Sequence, residues 1–102
     1  MSIKKTELKS GKIKVTFKIS GEASENFANA SLVGDFNNWD KSADKMKKLK
    51  KDGSFSIQKT FESGKEYQFK YLLRTENWMN ETESDKFVDT QFDDSQNSVI
   101  VL

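Results

Sequence analysis

The chain has no cysteine, no histidine and no proline among its 102 residues. Without cysteine there is no disulfide framework, no thiol nucleophile and no thiolate metal site. Without histidine the commonest general base and the commonest metal ligand are both missing, so the sequence leans away from catalysis. Without proline, Gly, Asn, Asp and Ser must supply all the turn chemistry. Charge of one sign is missing too: 17 Lys and Arg against 16 Asp and Glu leave +1, a balance that does not call for a polyanionic partner. No apolar run approaches the ~20 residues of a membrane span. The opening "MSIKKTELKSGKIK" carries no apolar stretch of the signal-peptide kind, and a cytoplasmic location is expected.

Aromatic residues are plentiful. Eight Phe, two Tyr and two Trp are too many for a disordered tail, although a hydrophobic fraction of 34% implies a thin core. Alternation dominates. In "KIKVTFKIS", Ile13, Val15, Phe17 and Ile19 fall on one face and Lys12, Lys14, Thr16 and Lys18 on the other, the period of a half-buried strand. "SFSIQKTF" repeats the pattern with Phe55, Ile57 and Phe61. In "YQFKYLL", Tyr67, Phe69, Tyr71 and Leu73 oppose Gln68, Lys70 and Leu72. "ANASLVG", "SVIVL", "KFVDT" and "IKKTEL" are further candidates, separated by Ser20-Gly21, Gly34-Asp35, Asp52-Gly53 and Ser63-Gly64 turns. No helical period persists, and residues 40–47 could make one helical turn at most. The expected architecture is all-β: an immunoglobulin-like antiparallel sandwich of about seven strands, one domain spanning residues 1–102.

"LVGDFNNWD", Leu32 to Asp40, puts a tryptophan among turn residues. On pattern alone Trp39 either folds over the end of the core or stands out to bind something. Trp78, in the polar setting "NWMNE", is expected to be exposed. By itself Lys70 is an outward-facing lysine, Asn97 a residue closing a turn before the last strand, Phe92 a core or edge anchor, and Ser95 a loop serine. "KMKKLKK", Lys45 to Lys51, lacks the interleaved aromatics of a nucleobase-stacking surface and reads as a solvated loop or edge strand kept soluble by lysine. The acids of "ETESD" and Asp93-Asp94 lack the glycine-centred spacing of a calcium loop and read as a surface charge patch.

Taken together and in order, "LVGDFNNWD", "YQFKYLL" followed by Trp78, and "NSVIV" resemble the family 48 carbohydrate-binding modules, the α-glucan-binding sandwich domains of glycogen and starch metabolism. The resemblance runs from about Lys12 to Leu102. It implies that Trp39 and Trp78 stack on glucose rings and that Lys70 and Asn97 bind sugar hydroxyls. Phe92 would wedge into the curve of the glucan, and Ser95 would offer a hydroxyl beside it. The chain departs from the family pattern in "RTEN" before Trp78, in Glu81-Thr82 where Asp-Pro is common, and in Asp93-Asp94 where glycine is common. What the resemblance implies is non-catalytic binding of an α-glucan polysaccharide or maltooligosaccharide, with no cofactor, no metal, no nucleic acid and no membrane, and with a glucan-metabolising enzyme as a possible partner. The alternative is a protein-interaction module of a glucan-metabolising or regulatory complex that kept the sandwich and lost sugar binding. A glycosidase needs two carboxylates set across a cleft; sixteen acids make some pair inevitable and so carry no weight, and a sandwich this small, with no His or Cys, offers no evident place to enclose a reacting sugar.

Overall fold

The computed structural model describes residues 2–24, 27–73, 77–81, 83–89 and 96–102. The alternating runs become strands: β1 (Ser2–Glu7), β2 (Lys12–Ile19), β3 (Ala30–Gly34), β5 (Phe55–Glu62), β6 (Glu66–Leu73), β8 (Lys86–Asp89) and β9 (Gln96–Val101). Two more, β4 (Lys47–Lys48) and β7 (Asn77–Met79), bring the described strands to nine rather than seven. At two and three residues, neither is long enough for a period of two to be read from it.

All pairings are antiparallel, in two sheets. The first runs β1-β2-β5-β4; the second runs β3-β6-β9-β8, with β7 also on β6. Residues 40–47 form no helix: Ala43 N donates to Asp40 O at 3.5 Å in a single turn, and residues 44–46 then run along β3. Their backbone is taken up by β3: Leu32 N donates to Asp44 O at 2.8 Å, Met46 N donates to Ala30 O at 2.8 Å, and Ser31 bridges Lys45. The chain then crosses to the other sheet, where β4 pairs with β5 at the edge. One-turn helices occur instead at α1 (Gly21–Ser24) and as a 3-10 turn at Asp35–Asn37.

The inward faces meet in one aromatic-rich core. Val15, Phe17, Ile19, Leu32, Phe69, Tyr71 and Ile100 have no exposed surface. Phe17 is the hub, with ring centroids 5.2 Å from Phe69 and 6.4 Å from both Phe36 and Phe61. Tilted and edge-on rings of this kind each bury about 150–250 Å², which is how a chain poor in aliphatic residues fills a sandwich. The outward face of the second sheet also carries buried apolar residues: Val33, Leu72 and Val99 are at most 2% exposed yet lie outside the core cluster.

Phe17→Ala is expected to cost about 3–5 kcal/mol, because it empties the centre of the ring cluster. Urea unfolding of both proteins checks this, and an unchanged midpoint would contradict it.

Candidate functional site

The turn holding Trp39 is built from inside the sandwich outwards. β3 ends at Gly34, where a Cβ would lie 2.5 Å from Gln68 O and 2.8 Å from Phe69 Cβ, so only glycine fits so close to β6. The 3-10 turn follows and swings Phe36 against Phe61 and Tyr67, at centroid distances of 5.4 and 6.0 Å. Asn37 then locks the turn. Its Oδ1 accepts Gly34 N at 3.1 Å, and its Nδ2 donates to Leu32 O at 2.9 Å and to Asp44 Oδ2 at 2.7 Å. Asp44 Oδ1 receives Lys59 Nζ at 2.8 Å, and that ammonium also lies 5.5 Å over the Phe36 ring. Burial by itself would raise the Asp44 pKa; the hydrogen bonds from Lys59 and Asn37 outweigh it and hold the carboxyl below its ordinary value.

Asn38 and Trp39 follow with φ of 57° and 58°, in the left-handed region. Asn tolerates that backbone and a bulky aromatic rarely does, so the surroundings must hold Trp39 there. Its N–H donates to Gly34 O at 2.9 Å and its indole Nε1 donates to Asp35 Oδ1 at 3.0 Å. The other oxygen of Asp35 accepts the backbone N–H of Gln68 at 2.8 Å. Trp39 is half-buried, and its N–H is engaged within the protein. Phe36, rather than Trp39, closes the end of the core.

The other described candidates gather on the outward face of the second sheet. Lys70 alternates with the core residues Phe69 and Tyr71 and pairs across to Val33. One edge of β6 is shared: β9 pairs with Glu66–Phe69 and β7 with Tyr71–Leu73, so Lys70 sits where one neighbour gives way to the other. Trp78 lies opposite Leu72, on the same face as Lys70, and is 43% exposed. Asn97 is the next position on β9 past the Phe69–Ser98 pair, and its Nδ2 donates to Gln68 Oε1 at 3.1 Å. Lys41, two residues after Trp39, places its ammonium 5.8 Å from the centroid of Trp78, linking the turn to this face. Phe92 and Ser95 lie outside the described residues. A concavity of about 70 Å³ beside Gln68, lined by Asp35, Glu66, Tyr67, Val88 and Val99, has room for roughly two waters.

A buried polar network backs the face. Glu81, from the stretch expected to be a surface charge patch, has no exposed surface. Its Oε1 accepts Tyr71 Oη at 2.8 Å and its Oε2 accepts Glu83 N at 2.7 Å. Its own N–H donates to Ser98 Oγ at 2.9 Å, and that hydroxyl donates to Asn80 Oδ1 at 2.9 Å. Asn80 Nδ2 reaches Gln96 O at 2.9 Å. Burial first, and the negative Glu81 second, push the Tyr71 phenol pKa far up, so it stays a proton donor. The network ties together the strands that bear Lys70, Trp78 and Asn97. Among the described residues no cluster of three acids is placed to hold a metal ion.

Gln68, Lys41, Asp35 and Glu81 were not singled out from the sequence. Gln68 could have been found, since it shares the parity of Lys70 on β6. Lys41 and Glu81 carry no local signal that separates them from ordinary charged loop residues.

The model of the family Carbohydrate-binding module 48 (Isoamylase N-terminal domain) matches residues 9–88, most of the chain. A search of curated proteins found no match.

Two outcomes are expected of this geometry. Because the folded-state pKa of Asp44 is lowered, its stabilisation is present above the unfolded carboxyl pKa of about 3.9 and is lost as pH falls through the lower folded value. Asp44→Asn should therefore melt below wild type at pH 7, with the gap closing towards pH 2, in thermal melts across that range. Tyr71→Phe removes one of the donors to a buried carboxylate and should cost about 1–3 kcal/mol by chemical denaturation.

Proposed function

Since the chain belongs to the carbohydrate-binding module 48 family, whose members are carbohydrate-binding modules, we propose that it binds α-1,4-linked glucans such as glycogen, starch-like polymer or maltooligosaccharide, without catalysing a reaction on them. The observation that supports this reading is the exposed indole of Trp78 on the same sheet face as Lys70 and the Gln68–Asn97 pair.

A glucose ring has an apolar C–H face and a rim of hydroxyls. An indole is the largest flat apolar surface a side chain offers, at the conformational cost of two rotatable bonds. The exposed ring of Trp78 takes the C–H face of one sugar. Trp39 contributes its ring rather than its N–H, because Asp35 already holds that donor. The strained turn and the Asp35 bond set the angle of the indole before ligand arrives, which lowers the ordering cost of binding. Lys70 supplies three N–H donors, and Asn97 supplies donor and acceptor together for adjacent hydroxyls, with Gln68 fixing the amide. Each hydroxyl bond to protein replaces one to water, so the affinity is modest and grows with the number of sugars engaged. A glucan-metabolising enzyme acting on the same polymer is the natural neighbour of such a module.

Trp78→Ala, and separately Trp39→Ala, should weaken binding to maltoheptaose by about 2 kcal/mol or more, roughly thirtyfold, and abolish retention on glycogen or β-cyclodextrin. Far-ultraviolet circular dichroism should show both variants folded. Undiminished binding by a folded double variant, or wild-type tryptophan emission indifferent to maltoheptaose, would overturn the reading.

A further inference from the structure

The face that carries Trp78 also carries lysines with no ion-pair partner among the described residues. The register gives a row across it. Lys45 bridges Ser31, Ser31 pairs with Leu72, and Leu72 pairs with Trp78. Directly paired residues project to one side of a sheet, so Lys45, Ser31, Leu72 and Trp78 share the outward side over a width of about 14 Å. Lys70 stands next to Leu72's row on the same side, opposite Val33. Lys41 holds its ammonium 5.8 Å from the Trp78 ring centroid.

These lysines have no acidic partner among the described residues. Ion pairs elsewhere take up Lys5, Lys18, Lys59, Lys65 and Lys86. Three described acids close to Lys41 in the chain are engaged by other donors. Asp35 accepts from Trp39 and Gln68. Asp40 accepts both the backbone N–H and the hydroxyl of Ser42, which lower its pKa. Asp44 accepts from Asn37 and Lys59. Lys41 thus stands beside the exposed indole, with Lys70 on the same face and Lys45 at the far end of the row. Desolvating an ammonium against a neutral hydroxyl returns little, whereas a phosphate monoester offers up to two negative charges and three strong acceptors. A phosphate esterified to a sugar hydroxyl projects from the ring edge while the C–H face stays free to stack. Lysine, a mobile point charge, suits a phosphate whose position varies along a polymer.

We propose that this face takes an α-glucan bearing phosphate monoesters in preference to the neutral chain. The proposal rests on the glucan reading of the same site and adds the ligand's charge to it. Its test is a paired titration, by calorimetry or tryptophan emission, of maltoheptaose and of the same oligosaccharide carrying a single 6-phosphate. At low salt the phosphorylated ligand should bind about three- to tenfold tighter, an advantage that shrinks as salt rises. In Lys41→Gln/Lys45→Gln the ratio of the two affinities should fall towards one, and in Lys41→Glu/Lys45→Glu it should invert. Equal affinity of wild type for the two ligands, or a ratio unchanged in both double variants, overturns the proposal while leaving the glucan reading standing. Failure of wild type to bind either ligand overturns that reading and this one together.

Discussion

The side-chain amide of Asn37 does for this sandwich what a strand would do if the chain continued straight. Where β3 leaves the sheet, three groups turn to that amide for a hydrogen bond: Gly34 N, Leu32 O and Asp44 Oδ2. One amide satisfies all of them. Asp44, held there, accepts Lys59 from the opposite sheet, so both layers are tied at this end through a single residue. The aromatic end of the core depends on that closure, because Phe36 can lie against Phe61 and Tyr67 only if the turn before Trp39 is tight. The left-handed backbone at Asn38 and Trp39 is then sustained by its surroundings, since a bulky aromatic rarely adopts it unaided.

β6 is the strand on which the core and the candidate face meet. Its inward residues Phe69 and Tyr71 are fully buried, while its outward residues Gln68 and Lys70 contribute to the candidate face. A period of two normally keeps these roles independent. Tyr71 breaks the separation: its hydroxyl reaches Glu81, and Glu81 and Asn80 pin the chain that follows Trp78 to β9. A half-satisfied network of this sort would be costly in a low-dielectric interior, so the strands bearing Lys70, Trp78 and Asn97 are held in register by a requirement of burial.

Much of the fold was legible because alternation reports burial directly. Every run with at least four alternating or apolar residues became a strand, including the weak candidates "KFVDT" and "IKKTEL". β4 and β7 were not legible, since two or three residues have no period, and their pairing is decided by what lies beside them. The outward direction of Lys70 and the exposure of Trp78 could be read from parity and polar context. The engagement of the Trp39 indole could not, because Asp35, which accepts its N–H, is itself held by the backbone of Gln68 on another element. Glu81 was misread for the same reason. In "ETESD" it looks like its neighbours, and only the Tyr71 hydroxyl and the Glu83 amide make an interior place for it.

By itself, then, the order of residues determined the two-sheet architecture, the inward and outward sides of each long strand, and membership of a carbohydrate-binding family. Those properties are carried by local periodicity and by short motifs that survive in one dimension. Tertiary structure alone decided which side chains meet: Lys41 over Trp78, Asn97 against Gln68, and the acids of the turn engaged so fully that the lysines beside them face outward without a described partner. Hydrogen bonds and charges act over a few ångströms, between residues whose separation along the chain carries no trace of that contact.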